Sequence, residues 1–160
     1  MFQNFNFVLS VEAKMPEGPE LYLASVFVNK VCKGRIFSGN VIKSAVSVKN
    51  PDVPWNKDNY NISATSRGKE IRLTLTQMHD MNTNRKLAKM HIIFRFGMSG
   101  KFRFDTPDSL HKHAHLNFYS KCGKHVLSYV DQRRFGRWEV DGVWGKDRGP
   151  CVIQECAAFR

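Results

Sequence analysis

The stretch "MPEGPEL", Met15 to Leu21, decides how the rest of the chain is read. Prolines and glutamates crowd what reads as the first turn of a helix. First-turn amides need no intrahelical acceptor, so Pro16 and Pro19 fit there. Glu17 and Glu20 favour the positive end of the helix macrodipole. Behind them Leu21, Ala24, Phe27, Val28 and Val31 recur at helical spacing, and Gly34 supplies the stop. Helix-start chemistry alone accounts for the motif. A sharper reading requires Pro16 to be the first residue, because a proline inside a chain has an amide nitrogen and is no nucleophile. A terminal secondary amine at a helix start is held toward its neutral form. Such an amine can attack a sugar C1′ and form an iminium, with the carboxylate one residue along moving protons.

Beyond Gly34 the pattern changes to short β runs separated by turns. "RIFSGNVIKSAVSV" reads as strand with a Gly-Asn turn, and "NPDVPW" as a loop. "EIRLTLT" alternates Ile71, Leu73 and Leu75 on one side, as a half-buried strand does. "HDMNTNRKLAK" is a polar connection, "HIIFRF" a strand, "GMSG" a tight turn and "KFRF" the return. "HAHLNFY", "HVLSYV" and "RRFGRWEV" continue the series, and "GPCVIQECAAFR" reads as the opening of a second helix. Many short strands at this spacing predict a mainly β fold with flanking helices, an antiparallel sandwich or barrel.

The chain has 160 residues, with 25 Lys and Arg against 14 Asp and Glu and a formal net charge of +11. That length suggests one domain and that charge a polyanionic partner, nucleic acid first and an anionic membrane surface second. Cys32, Cys122, Cys151 and Cys156 form no CxxC pair, so a zinc framework is poorly supported. Residues 1–14 lack the cationic start of a signal peptide, which makes reduced intracellular thiols the expectation. No stretch approaches the roughly 20 apolar residues of a membrane span.

The motifs, taken in order, resemble the Fpg/Nei family of DNA glycosylases, the formamidopyrimidine and endonuclease VIII group, and within it the animal Nei-like enzymes. The matches run "MPEGPELYLASVFVN", "ISATSRGKEIRL", "FRFGMSG", "KHAHLNFY", "VDQRRFGRW" and "RGPCVIQE". The resemblance implies an amino-terminal β-sandwich with a helix at either end, covering residues 15–160 behind a leader of residues 1–14. It implies removal of oxidised bases, with lyase action on the abasic site, by a nuclear monomer on double-stranded DNA. No cofactor and no metal is implied for this half.

Carried over by that resemblance, Pro16 is the Schiff-base nucleophile and Glu17 the acid that protonates the sugar ring oxygen. Glu20 supports them. Lys69 matches a strand lysine at the DNA backbone with a proton-donor role; its plain alternative is a solvated surface lysine. Met98, between glycines, matches a wedge that fills the space left by the flipped base; elsewhere such a Met is a gap-filler. Arg133 is assigned to the orphaned partner base or its phosphate and Phe135 to a second wedge. Arg134 joins the phosphate-binding set. An edge strand with solvated arginines and a core Trp138 is the competing reading. In "HKHAH", His111, His113 and His115 fall on one face if the stretch is extended, which resembles a metal box with no fourth ligand beside it. An exposed basic strand is the competing reading, and the resemblance assigns His113 to DNA phosphate.

Two departures from the family pattern stand out. A retained leader would cap Pro16, so Met15 is the expected initiator, removed after synthesis. The helix–two-turn–helix module and the finger that follow this domain in the family have no counterpart here, so weak DNA binding and poor turnover are expected of this chain alone. A non-catalytic DNA-binding domain and a histidine-metal barrel are the rival readings.

Overall fold

The computed structural model describes residues 18–78 and 86–145. Residues 1–17, the polar connection at 79–85 and the second-helix reading at 146–160 lie outside that description, and with them Pro16 and Glu17.

Among the described residues, one α-helix, nine strands and a single 3-10 turn at Pro107–Ser109 build a sandwich. Helix α1 spans Gly18–Cys32. The strands are β1 (Phe37–Asn40), β2 (Ile42–Lys43), β3 (Asn56–Arg67), β4 (Glu70–Gln77), β5 (Lys89–Arg95), β6 (Gly100–Asp105), β7 (Ala114–Tyr119), β8 (Val126–Asp131) and β9 (Arg137–Val140). One sheet runs β1-β3-β4-β5-β9 and the other β2-β7-β8-β6, with every pairing antiparallel.

Helix α1 buries Leu21, Ser25, Val28 and Cys32, the i, i+4, i+7, i+11 stripe, with Ala24 and Val31 partly covered. Phe27, read as part of that face, is exposed instead. Burial pushes the Cys32 thiol up to about 12, against the weaker pull of Arg35, so it stays protonated. Ile71, Leu73 and Leu75 are wholly buried, as their alternation predicts. Between the sheets Phe94, Phe102, Tyr129 and Trp138 pack ring against ring, with centroids 5.0 to 6.1 Å apart. Trp138 is thus a core residue, as the plain reading of its strand had it.

Several local expectations are corrected. Gly39 and Asn40 form no hairpin turn: Gly39, at φ 85°, lies at a bulge in β1, and β2 belongs to the other sheet. The run from Ala45 to Val48 is a loop, not strand. Strand β3, the longest of the described strands, has no counterpart in the β runs legible in the sequence. Residues Arg133–Gly136 precede β9 as a loop rather than lying within it.

Candidate nucleic-acid interface

The chemistry-bearing residues gather at one end of the sandwich. The β3–β4 hairpin turns on Gly68 and Lys69, with Gly68 at φ 56°. Lys69 is therefore an exposed tip residue and not a strand lysine. In register across the sheet at this end, Arg67 faces Glu70, Glu70 faces Arg95, and Arg95 faces Arg137. At about 4.8 Å per strand the row is about 14 Å long. Three loops leave the strands of this row: the Lys69 hairpin between β3 and β4, the Gly97–Ser99 turn after β5, and the Arg133–Gly136 loop before β9.

Helix α1 begins against this end. A Cβ placed on Gly18 would lie 3.6 Å from the Gly68 carbonyl oxygen, so the helix start is stacked on the Lys69 hairpin. Glu20, exposed on the first helical turn, belongs to the same surface. Asn29 fixes the helix along its length. Its amide donates to the Ala64 carbonyl at 2.9 Å and accepts from the Ala64 N–H at 2.8 Å. Strand β1 pairs with β3 only as far as Tyr60, so Asn29 satisfies backbone groups that no neighbouring strand reaches.

The hairpin is braced from behind by a buried charge. Glu70, 1% exposed, meets Arg95 at 2.8 Å and accepts from the Gly145 N–H at 2.7 Å, while Arg95 also reaches Glu139 at 2.8 Å. The Arg72 guanidinium lies 5.1 Å from the Trp144 ring centre.

Met98 and the Arg133–Gly136 loop are one unit. Gly97 has φ 61°, and a Cβ there would come within 2.8 Å of the Gly136 nitrogen. Asp131, 1% exposed, organises both segments. Its Oδ1 accepts from the Ser99 hydroxyl at 2.5 Å and the Arg134 N–H at 3.1 Å; its Oδ2 accepts from the Gly136 N–H at 2.7 Å and the Tyr129 hydroxyl at 3.4 Å. Ser99 Oγ in turn accepts from the Arg133 N–H at 3.0 Å. Burial, reinforced by the Asp131 charge, raises the Tyr129 phenol far above its ordinary range, so it remains a donor. Arg134 sits in the left-handed region at φ 57°, and its carbonyl accepts from Lys49 Nζ. The result exposes Arg133, Arg134 and Phe135 on a rigid base, beside a half-buried Met98.

The histidines do not share a strand face. Only His115 lies in β7, where it is buried and its Nε2 is 2.8 Å from the Asp131 carbonyl. His111 and His113 occupy the turn before it, with ring centres 5.5 Å apart. Burial, then the Arg103 and His113 charges, lowers the His111 pKa. Among the described residues no cluster of three or more His, Cys, Asp or Glu side chains can hold a metal ion. The Asp131 N–H donates to the His113 carbonyl at 3.1 Å, so His113 joins the same end of the molecule.

The structure therefore brings Lys69, Glu20, Met98, His113 and Arg133–Phe135 together. Sequence reasoning missed Asn29, Ser99 and Asp131, which act by position. It also passed over Val46, Val48 and Lys49, which border Phe135.

An antiparallel two-sheet sandwich headed by one helix and basic at one end suits a nucleic-acid-binding domain, and the chain belongs to the family described as formamidopyrimidine-DNA glycosylase N-terminal domain, matched over residues 15–138. It is 49% identical over 148 residues to endonuclease 8-like 1 of Mus musculus and 48% to that of Homo sapiens. It is 32% identical over 124 residues to the formamidopyrimidine-DNA glycosylase of Photorhabdus laumondii. The match covers 91% of this chain but 37% of either mammalian relative, so the chain spans little more than a third of their length. The fold is that of Lactococcus lactis Fpg in complex with DNA containing an oxidised pyrimidine, at TM-score 0.58 and 23% identity over 78% of this chain and 44% of that one.

Proposed function

We propose that this chain carries the reacting half of a base-excision DNA glycosylase that removes oxidised pyrimidines and ring-opened purines and then cleaves the strand as a lyase. One observation carries the reading: the start of α1 is seated on the hairpin that presents Lys69, at the same end as Met98 and Phe135. That end, where the chain enters α1 at Gly18, is the one to which the reading assigns the chemistry.

The chemistry is as follows. The Pro16 amine, freed by removal of Met15, attacks C1′ of a flipped nucleotide. The N–C1′ bond forms, the base leaves with the glycosidic electron pair, and the proton shed by the attacking nitrogen goes to the departing base. Glu17 protonates O4′, the C1′–O4′ bond opens, and the nitrogen lone pair completes the iminium. The iminium acidifies C2′, so loss of its proton expels the 3′ phosphate and a second elimination expels the 5′ phosphate. Lys69 supplies a proton in strand cleavage, and Glu20 supports the carboxylate beside the amine. Water then hydrolyses the iminium and returns the amine. Arg133, Arg134 and His113 hold phosphates, while Met98 and Phe135 occupy the stack left by the base. The reading places a monomer on damaged nuclear DNA.

Borohydride reduction in the presence of a duplex with a natural abasic site tests this on the chain begun at Met15 and trimmed. A covalent protein–DNA adduct is expected, lost in Pro16→Ala. DNA binding with no adduct favours the rival, a non-catalytic damaged-DNA-binding domain, as would retention of the leader on Pro16 seen by mass spectrometry.

A further inference from the structure

The loop between β2 and β3 adds a surface that the wedge and phosphate residues do not account for. Val46, Val48 and Phe135 are 54%, 84% and 58% exposed and line one cleft of about 360 Å³. Lys49, Arg133 and Arg134 complete its wall, and among the described residues no carboxylate pairs with any of them.

The loop is held rigidly. Ser47 is buried; its N–H donates to Ser44 at 3.1 Å and its hydroxyl accepts from the Asn50 amide at 3.3 Å. Asn50 Oδ1 accepts from the Trp138 N–H at 3.2 Å, and the Pro51 carbonyl from the Trp138 indole at 2.8 Å. These bonds close the free edge of β9, so the loop lies beyond β9 on the side away from the Lys69 hairpin. Along this end the order is Lys69, Met98, Phe135, then Val48.

We propose that residues 46–49 are the outer lip of the DNA interface and receive an unstacked nucleotide of the strand opposite the damaged one. An aromatic ring facing branched aliphatic side chains suits the faces of a base, and the cations suit its phosphates. Continuity with Phe135, and distance from the hairpin on which the reacting strand would lie, select the opposite strand. Lys49 has a double part, since its bond to the Arg134 carbonyl holds the loop that carries Phe135.

The inference rests on the DNA-glycosylase reading, and the test separates the two. A photoreactive p-benzoylphenylalanine replaces Val48, whose exposure makes it tolerant of substitution, and the chain is mixed with a duplex carrying a tetrahydrofuran abasic analogue and a different dye on each strand. Cross-linking to the strand opposite the analogue is expected. The uncharged variant Val48→Ser should weaken binding to that duplex about fivefold and leave binding to the intact duplex unchanged. Cross-links confined to the analogue strand, or to another protein molecule, overturn the lip while leaving glycosylase chemistry intact. So does unaltered affinity of Val48→Ser. Failure of the parent chain to bind the abasic duplex overturns both.

Discussion

Asp131 Oδ1 accepts the Ser99 hydroxyl at 2.5 Å, and this bond, with the Arg133 N–H donating to Ser99 Oγ, joins the turn that carries Met98 to the loop that carries Phe135. The proposed function has Met98 and Phe135 enter a duplex together, which requires a fixed spacing between them. The buried carboxylate fixes it by gathering donors from both sides. Asp131→Ala strands those donors in a buried site. The expected loss is about 3 kcal/mol of folding stability in urea titration, since hydrogen bonds to a charged group contribute about 1.5–3 kcal/mol each and some donors regain water. Asp131→Asn should lose less, and both should bind an abasic duplex more weakly than their folded fraction explains. Wild-type stability in Asp131→Ala would remove the carboxylate from this role.

Asn29 positions the helix start by holding Ala64 on β3, eleven residues along the chain from Gly18. Asn29→Ala leaves a buried N–H and carbonyl of β3 to find other partners. A cost of about 1–3 kcal/mol is expected. Because α1 then loses its register on β3, borohydride trapping should slow even where the variant remains folded. Equal trapping rates for the two proteins would show that sandwich packing alone aligns the helix.

Glu70 and Arg95 form an ion pair with unequal burial, 1% against 28% side-chain exposure. Removing the buried partner costs less than in a fully enclosed pair, because Arg95 keeps Glu139 and water. Glu70→Ala is expected to lose about 2–3 kcal/mol in denaturant titration, at or below the lower bound for a broken buried pair. Glu70→Gln, which retains an acceptor for the Gly145 N–H, should fall between the two.

How far the sequence discloses this architecture depends on whether a signal is local. The α1 start and the β4 alternation are local, and both emerge as read. Strand β3 hides because its outward positions along the buried run are Asn61, Ser63 and Thr65, and its inward ones end in the small Ala64 and Ser66. Its place is set by β4 on one side and by β1 and Asn29 on the other. His115 reads as part of an exposed basic run, yet β7 lies inside its sheet and turns the ring onto the Asp131 carbonyl. Motif resemblance names Lys69, Met98 and Phe135 as candidates one by one. Their common end is not legible that way, because register across four strands brings them together.

His91 gives the fold a dependence on acid. Desolvation, then the Arg72 charge, lowers its pKa from the ordinary 6.5, with Asp141 opposing, and Thr74 Oγ1 lies 3.0 Å from its Nδ1. With the folded value below the unfolded one, the unfolded chain takes the proton first. This contribution to stability is whole above about pH 6.5 and declines as pH falls, until the folded imidazole is protonated too. Thermal melts from pH 7.5 to 5 should show a steeper loss for the parent than for His91→Asn. Parallel curves would assign the acid sensitivity to other groups, such as His111.

Lys69 lies at a hairpin tip where its ammonium is free to meet a phosphate, and the charge of +11 spread over the chain makes binding to any duplex dependent on salt. A lysine that contacts one phosphate releases about one counterion. Lys69→Ala should therefore reduce the slope of log K against log salt by about 0.9, with stability unchanged because the side chain is exposed. Arg133→Ala should change the slope similarly and also weaken preference for abasic over intact duplex, because it stands beside the wedges. Should Lys69→Ala keep the full slope yet slow strand cleavage after the base has left, its part is proton donation without phosphate contact. An unchanged slope together with unchanged cleavage would leave Lys69 a solvated tip residue and move the reacting strand away from the hairpin.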